Sequence, residues 1–293
     1  MVTLGIALAL TCAVVYTVAS LFLKGAIERG ATGAQLNCAV NLSMALIAQP
    51  LWLFDQPGIP NAPLWQPVVC CVILFAGQFF TFAALSRGDV SVATPLLGTK
   101  ILIVTAINAL VFGVPVSARW WVAAVIASVS IGLIAGGAPR GKARNVAVTA
   151  VFSLSAAASY SLIDVLIQHW SGSFDSVAFL PVMFTGVGFL SSVYYLFIDR
   201  GAFRPQAPAR LFLFAGAALF GIQIAGVFFS LVFTRDATLV NVLYTSRSIW
   251  SVAAAWAAGW LFGLRDRDAG TRVMVRRLLG AILIFVAIIL ILL

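Results

Sequence analysis

Two basic residues stand inside stretches otherwise apolar enough to cross a lipid bilayer: Lys100 in "ATPLLGTKILIVTAINALVFG" and Arg247 in "NVLYTSRSIW". A cation near the bilayer midplane costs between about 3 and more than about 10 kcal/mol, so it is turned toward a cavity or a partner. Positive charge placed that deep can hold the carboxylate or phosphate of a small solute. One carboxylate, Asp164 in "SYSLIDVLIQHW", lies in a third apolar stretch and can act as counter-ion or exchange a proton. Nothing here suggests catalysis. His169 is the sole histidine, the spacings of Cys12, Cys38, Cys70 and Cys71 suit neither zinc nor a disulfide pair, and no Walker loop is present. We expect no catalytic residues, no metal, no cofactor and no enzyme activity.

The elements that must position these groups follow from composition. The chain has 293 residues, 62% of them hydrophobic and 9% charged, with a mean hydropathy of +1.07. No water-soluble fold could bury so much apolar surface, so the solvent for most of the chain is lipid. A spanning helix needs roughly 20 apolar residues. Ten such stretches can be read, at about 3–24, 33–54, 64–86, 90–112, 117–137, 146–168, 174–198, 209–234, 238–263 and 273–293. Their length without alternation makes them helices rather than strands.

The net charge of +9 is unevenly placed. Fourteen of the 18 basic residues, among them Lys24, Arg87, Arg140, Arg200, Arg265 and Arg277, fall in odd-numbered connections or the helix ends beside them. Arg119 and Arg235 fall on the opposite side. The positive-inside rule then puts the odd connections in the cytoplasm and both termini outside. Such residues anchor the chain against anionic lipid; a nucleic-acid partner is not expected.

Helical phasing gives each polar group a face. Taking about 100° per residue, Asn241, Tyr244, Arg247, Ser248 and Ser251 share an arc of roughly 120°, and Ser153, Tyr160, Ser161, Asp164 and Gln168 one of about 100°. In the fourth stretch Ser91, Thr94, Gly98, Thr105 and Asn108 share a face, with Lys100 at its edge. If that helix begins near Val90, Lys100 is about ten residues, or roughly 15 Å, into the membrane. Pro95 cannot donate to the carbonyl of Ser91, which favours a kink or a local opening there.

The chain also repeats itself. "GQFFTFAALSRGDVSVATPLLGTKI" from Gly77 aligns with "GVFFSLVFTRDATLVNVLYTSRSI" from Gly226, one residue shorter, and brings Lys100 onto Arg247. Tyr16, Thr17, Ser20 and Lys24 likewise align with Tyr160, Ser161, Asp164 and Gln168. Residues 1–138 form one five-helix copy, 139–145 a basic connection and 146–293 the second copy. An odd number of spans per copy forces opposite insertion, so we expect an all-α membrane protein of ten transmembrane helices in two inverted repeats.

With its 5+5 duplication, the "ALSRGDVSVATPL" junction and "VFGVPVSARWWVAAVIASVSIGLIA", the chain resembles the EamA-like permeases of the drug/metabolite transporter superfamily. The resemblance covers essentially the whole chain. It implies transport of amino acids, organic ions, sugar derivatives or phosphorylated metabolites, in a bacterial inner membrane, by a monomer or homodimer. Family members usually carry Gly-Glu at the ends of helices 4 and 9; here those places hold Gly113-Val114 and Gly263-Leu264, so any role of that glutamate is absent.

Two deep cations against one carboxylate leave a positive cavity suited to an organic anion or zwitterion. Lys100, Arg247, Tyr244, Asn241, Ser248, Tyr160, Tyr16 and Asn108 are the expected substrate contacts, with Trp250 a further aromatic wall and Asp164 the counter-ion or proton site. A purely structural reading makes Tyr160, Asp164 and Arg247 a network that neutralises buried charge. An alternative function, flipping a lipid or lipid-linked carrier, would use the same cationic chamber for a headgroup phosphate.

Overall fold

A computed structural model describes residues 2–54, 63–87, 93, 96–135, 146–170, 179–199, 203–250 and 271–293. In chain order the helices are α1 (Val2–Glu28), α2 (Gly33–Ala48), α3 (Trp65–Arg87), α4 (Lys100–Leu110), α5 (Ala118–Ala135), α6 (Val146–Trp170), α7 (Phe179–Asp199), α8 (Ala207–Thr234), α9 (Ala237–Tyr244) and α10 (Thr271–Leu292). A 3₁₀ helix, Gln49–Phe54, prolongs α2 past Pro50. Among the described residues there are helices and no strands, as hydropathy without alternation requires.

Among the described residues five helical segments are long and apolar enough to cross a membrane: Val2–Glu28, Gly33–Leu53, Ala147–Trp170, Phe179–Phe197 and Ala207–Thr234. Shorter apolar helices run over Trp65–Thr81, Leu96–Leu110, Ala118–Leu133 and Leu279–Leu292. The basic connection 139–145 and much of the ninth stretch expected from the sequence lie outside the described residues.

The turn from α1 to α2 shows how local chemistry ends one helix and starts the next. Gly30 takes a φ of 92°, which an L side chain rarely adopts. The amides of Gly30 and Ala31 then donate back to the carbonyls of Ile27 and Ala26, closing α1 in a Schellman arrangement. Two residues later Thr32 opens α2. Its Oγ1 accepts from the amide of Gln35 at 3.2 Å while Gln35 Oε1 accepts from the amide of Thr32 at 3.1 Å. Thr32→Ala, which removes one half of this reciprocal cap, is expected to cost about 1 kcal/mol, read as a lower midpoint in thermal unfolding of the detergent-purified protein.

The chain packs as two compact units, one of residues 1–75 and 166–233, the other of residues 76–165 and 234–293. Each unit therefore takes helices from both halves of the sequence. In the first, α2 packs on α7, where Asn41 Nδ2 donates to Ser191 Oγ at 2.6 Å and Gln49 Nε2 to Thr185 Oγ1 at 2.9 Å. Such bonds between spans act as polar glue where lipid offers no hydrophobic drive to associate. Ala26, Leu36, Val40, Leu213 and Ala217 form an apolar core in the same unit, and Ser230 on α8 donates to the carbonyl of Gly5 on α1 at 2.7 Å. All four cysteines are free and buried, small apolar fillers in effect.

In the second unit α10 packs on α5, α5 on α4, and α9 against α4, α5 and α10. Gly77 lets α3 approach α6 closely: a Cβ there would lie 3.0 Å from Tyr160 Cε1 and 3.2 Å from Ser159 Cβ. Gly98 plays the same part against Ile131 of α5.

Candidate functional site

The second unit joins three helices at one carboxylate. Lys100, the first residue of α4, places Nζ 2.6 Å from Asp164 Oδ2 on α6. Asn241 of α9 donates through Nδ2 to the same oxygen at 2.7 Å, and through the same nitrogen to the carbonyl of Ala237 at 2.8 Å. Its own helix thus fixes the amide so that the remaining N–H points at Asp164. One turn before Asp164, Ser161 donates to the backbone carbonyl of Lys100 at 2.9 Å, so α6 grips Lys100 at both backbone and ammonium. The Tyr160 ring stands 5.8 Å from Nζ, and its hydroxyl shares a hydrogen bond with Thr81 at 3.2 Å.

Burial is uneven across the pair. The Lys100 side chain is 25% exposed and that of Asp164 only 5%. A desolvated carboxylate is tolerable because two donors converge on it. Both fall on Oδ2; among the described residues nothing donates to Oδ1, and Nζ has Asp164 as its hydrogen-bonding partner. The pair is a matched donor and acceptor with capacity remaining on each side.

The sequence offered Arg247 as the counter-charge of Asp164 in a structural network; the partner is Lys100. The phase argument that put Lys100 at the edge of its helix face assumed one unbroken helix from Val90. Instead, helical residues 96–98 are separated from α4 by a turn at Thr99, whose amide and Oγ1 both donate to the carbonyl of Leu96, at 3.2 and 2.6 Å. Ser128 of α5 donates to the adjoining carbonyl of Gly98 at 3.3 Å. Hydroxyls that take up freed carbonyls are what allow such a break in an apolar setting. Pro95, the expected cause of an opening, lies outside the described residues.

Arg247 has a parallel setting. α9 ends at Tyr244, a turn covers Thr245 and Ser246, and residues 247–250 are helical again. Thr245 Oγ1 donates to the carbonyl of Val242 at 2.5 Å, and its amide is shared between Asn241 and Val242. The two cations that the duplication aligns therefore each follow a threonine-tightened turn. "GTK" and "YTSR" carried that signal, through hydroxyls able to compete for i−3 carbonyls. Neither Thr99, Thr245 nor Thr238 was singled out from the sequence; Thr105, expected on the polar face of its helix, has its hydroxyl 3.4 Å from that of Thr238, joining α4 to α9.

The remaining expected contacts sit as follows. Arg247 lies over the Tyr244 ring, Cζ 4.5 Å from its centroid. Ser248 is half-buried, its amide donating to Thr245 at 2.9 Å. Asn108 is buried two turns beyond Lys100 on α4, and its carbonyl accepts from Val114 past Gly113, whose φ is 63°. Tyr16 belongs to the first unit, its ring 5.6 Å from that of Phe220. Trp250 is exposed. Among the described residues no cluster of His, Cys, Asp and Glu could hold a metal ion.

A crystal structure of a protein 17% identical in sequence superposes with a TM-score of 0.75, over 96% of this chain and 98% of its own, so the two share a fold. No curated protein matches the sequence. Residues 3–136 match the EamA-like transporter family. With apolar helices of membrane-spanning length and this family match over residues 3–136, the chain is an integral membrane protein whose N-terminal part is similar to the EamA-like transporters.

Proposed function

We propose that the protein is a secondary transporter of a small organic anion or zwitterion, with the Lys100–Asp164 pair and Arg247 as its charged contacts. The observation that carries this reading is the pair itself: an ammonium and a buried carboxylate 2.6 Å apart beside a helix break, with N–H capacity left on one and Oδ1 on the other. A solute carboxylate or phosphate competes for Lys100 while an ammonium or a proton takes Asp164. Arg247 over Tyr244 supplies the second positive contact, so the three deep charges sum to one net positive. Tyr160, Ser248 and Asn108 line the path in this scheme. Asn241, with both amide hydrogens engaged by the protein, holds Asp164 rather than the solute. Breaks in symmetry-related helices near a midplane site are a recurring device of inverted-repeat transporters, in which one repeat rocks against the other.

The test is flux into proteoliposomes across a panel of amino acids, organic acids and phosphorylated metabolites, with and without an imposed potential. Losing a hydrogen bond to a charged group is worth about 1.5–3 kcal/mol, so Lys100→Ala and Arg247→Ala should each weaken apparent affinity roughly tenfold or more. Transport of a net anion should respond to potential by about 2.3 kcal/mol per 100 mV, and that of a zwitterion without a co-transported ion should be indifferent to it. Undiminished flux in both variants removes these residues from the site; movement of a labelled lipid in place of every solute replaces the solute reading with a flippase.

A further inference from the structure

The junction between α8 and α9 carries a second carboxylate in an unusual setting. Among the described residues Arg235 is the one non-glycine residue with a positive φ, 50°, a left-handed conformation that costs an L-residue roughly 1–2 kcal/mol. The duplication explains why: the first copy reads Arg87-Gly88-Asp89 where the second reads Arg235-Asp236, so the arginine turns the chain without a glycine. Asp236 then caps α9, accepting from the amide of Leu239 at 2.9 Å while its own amide donates to Thr234 Oγ1 at 3.3 Å.

Among the described side chains no cation pairs with this carboxylate. Arg235 beside it is exposed, and the helices packed on α9 bring Lys100 on α4, Arg119 on α5 and Arg276 on α10. Among the described residues none of these pairs with Asp236, and Lys100 is held by Asp164. Burial pushes the Asp236 carboxyl up to about 6, against the opposing pull of the Leu239 and Thr238 amides. Desolvation outweighs capping here.

What Asp236 caps matters for the site. α9 has eight residues between the cap and the Thr245–Ser246 turn, and within them Thr238 meets Thr105 of α4 and Asn241 meets Asp164 of α6. We propose that Asp236 is a proton-binding site that sets how firmly α9 is seated, and through Asn241 how firmly Asp164 is held. Protonated, it has no charge to hydrate and stays docked. Ionised, it is better solvated when the junction opens to water. Because the docked group titrates near 6 and the water-exposed group near 3.8, docking is strongest below about pH 4 and weakens as pH rises through about 6.

Hydrogen exchange tests this on the intact protein in detergent, with no solute added. After correction for the intrinsic pH dependence of exchange, protection of the Leu239 and Val240 amides should rise roughly 50-fold from about pH 7.5 to about pH 4. Asp236→Asn and Asp236→Ser each keep a capping acceptor and should show no such rise. A flat wild-type profile, or the same rise in both variants, overturns the proposal. The proton is the only ligand involved, so the outcome is independent of whether the transport reading holds.

Discussion

Lys100→Met should lower the unfolding free energy of the purified protein by about 3–5 kcal/mol, the cost of stranding one member of a buried ion pair. Asp164 would be left 5% exposed with Asn241 as its remaining donor. The reciprocal change, Asp164→Leu, should cost less, about 2–3 kcal/mol, because the orphaned Lys100 is 25% exposed and can recruit water. The combined variant should regain most of the loss, since an apolar pair of similar volume replaces a buried ion pair at little or no cost. Denaturation midpoints of the four proteins in one detergent measure this cycle. Additive losses would mean that Lys100 and Asp164 do not interact. If the double variant is as stable as the wild type but inert in the flux assay, the pair is there for function.

Gly216→Val should be nearly as damaging, at about 1–3 kcal/mol, for a steric reason. A Cβ at Gly216 of α8 would lie 3.0 Å from the backbone nitrogen of Leu23 on α1 and 2.9 Å from its Cδ2. The side chain could swing aside, but the backbone could not, so α8 and α1 would have to separate along their contact. Gly33, at the start of α2, has nothing within 4 Å of the same position; Gly33→Ala should change stability by less than about 0.5 kcal/mol. Thermal midpoints and the yield of folded protein from membranes compare the two. Equal effects would mean that glycine at position 216 is not there for close approach. Small residues at such contacts are what allow helices in lipid to gain dispersion energy in place of a hydrophobic drive.

Helix existence was legible because each helix is written in a contiguous run of apolar residues. The expected bounds of α3 and α8 differ from the observed ones by about one or two residues. Helix interruptions were less legible. Gly30 and the Thr32–Gln35 cap mark an end by residue type, but the turns at Thr99 and Thr245 depend on hydroxyls bonding to carbonyls of the same segment. Threonine has that option in many helices and takes it in few. The expected edge position of Lys100 was derived for one unbroken helix and took no account of the turn at Thr99.

By itself the sequence determined the solvent, the class of structure and the inventory of deep charge, because hydropathy and residue type are properties of single positions summed along the chain. It also named Lys100, Asp164 and Asn241 as members of one site. Only tertiary structure decided that Asp164 faces Lys100, that Asn241 divides its amide hydrogens between Asp164 and its own helix, and that Asp236 caps a short helix. Those facts depend on which helices lie side by side, and each compact unit takes helices from both halves of the chain. Partnerships between residues 64 and 77 positions apart are set by packing across helices, which periodicity along any one of them does not encode.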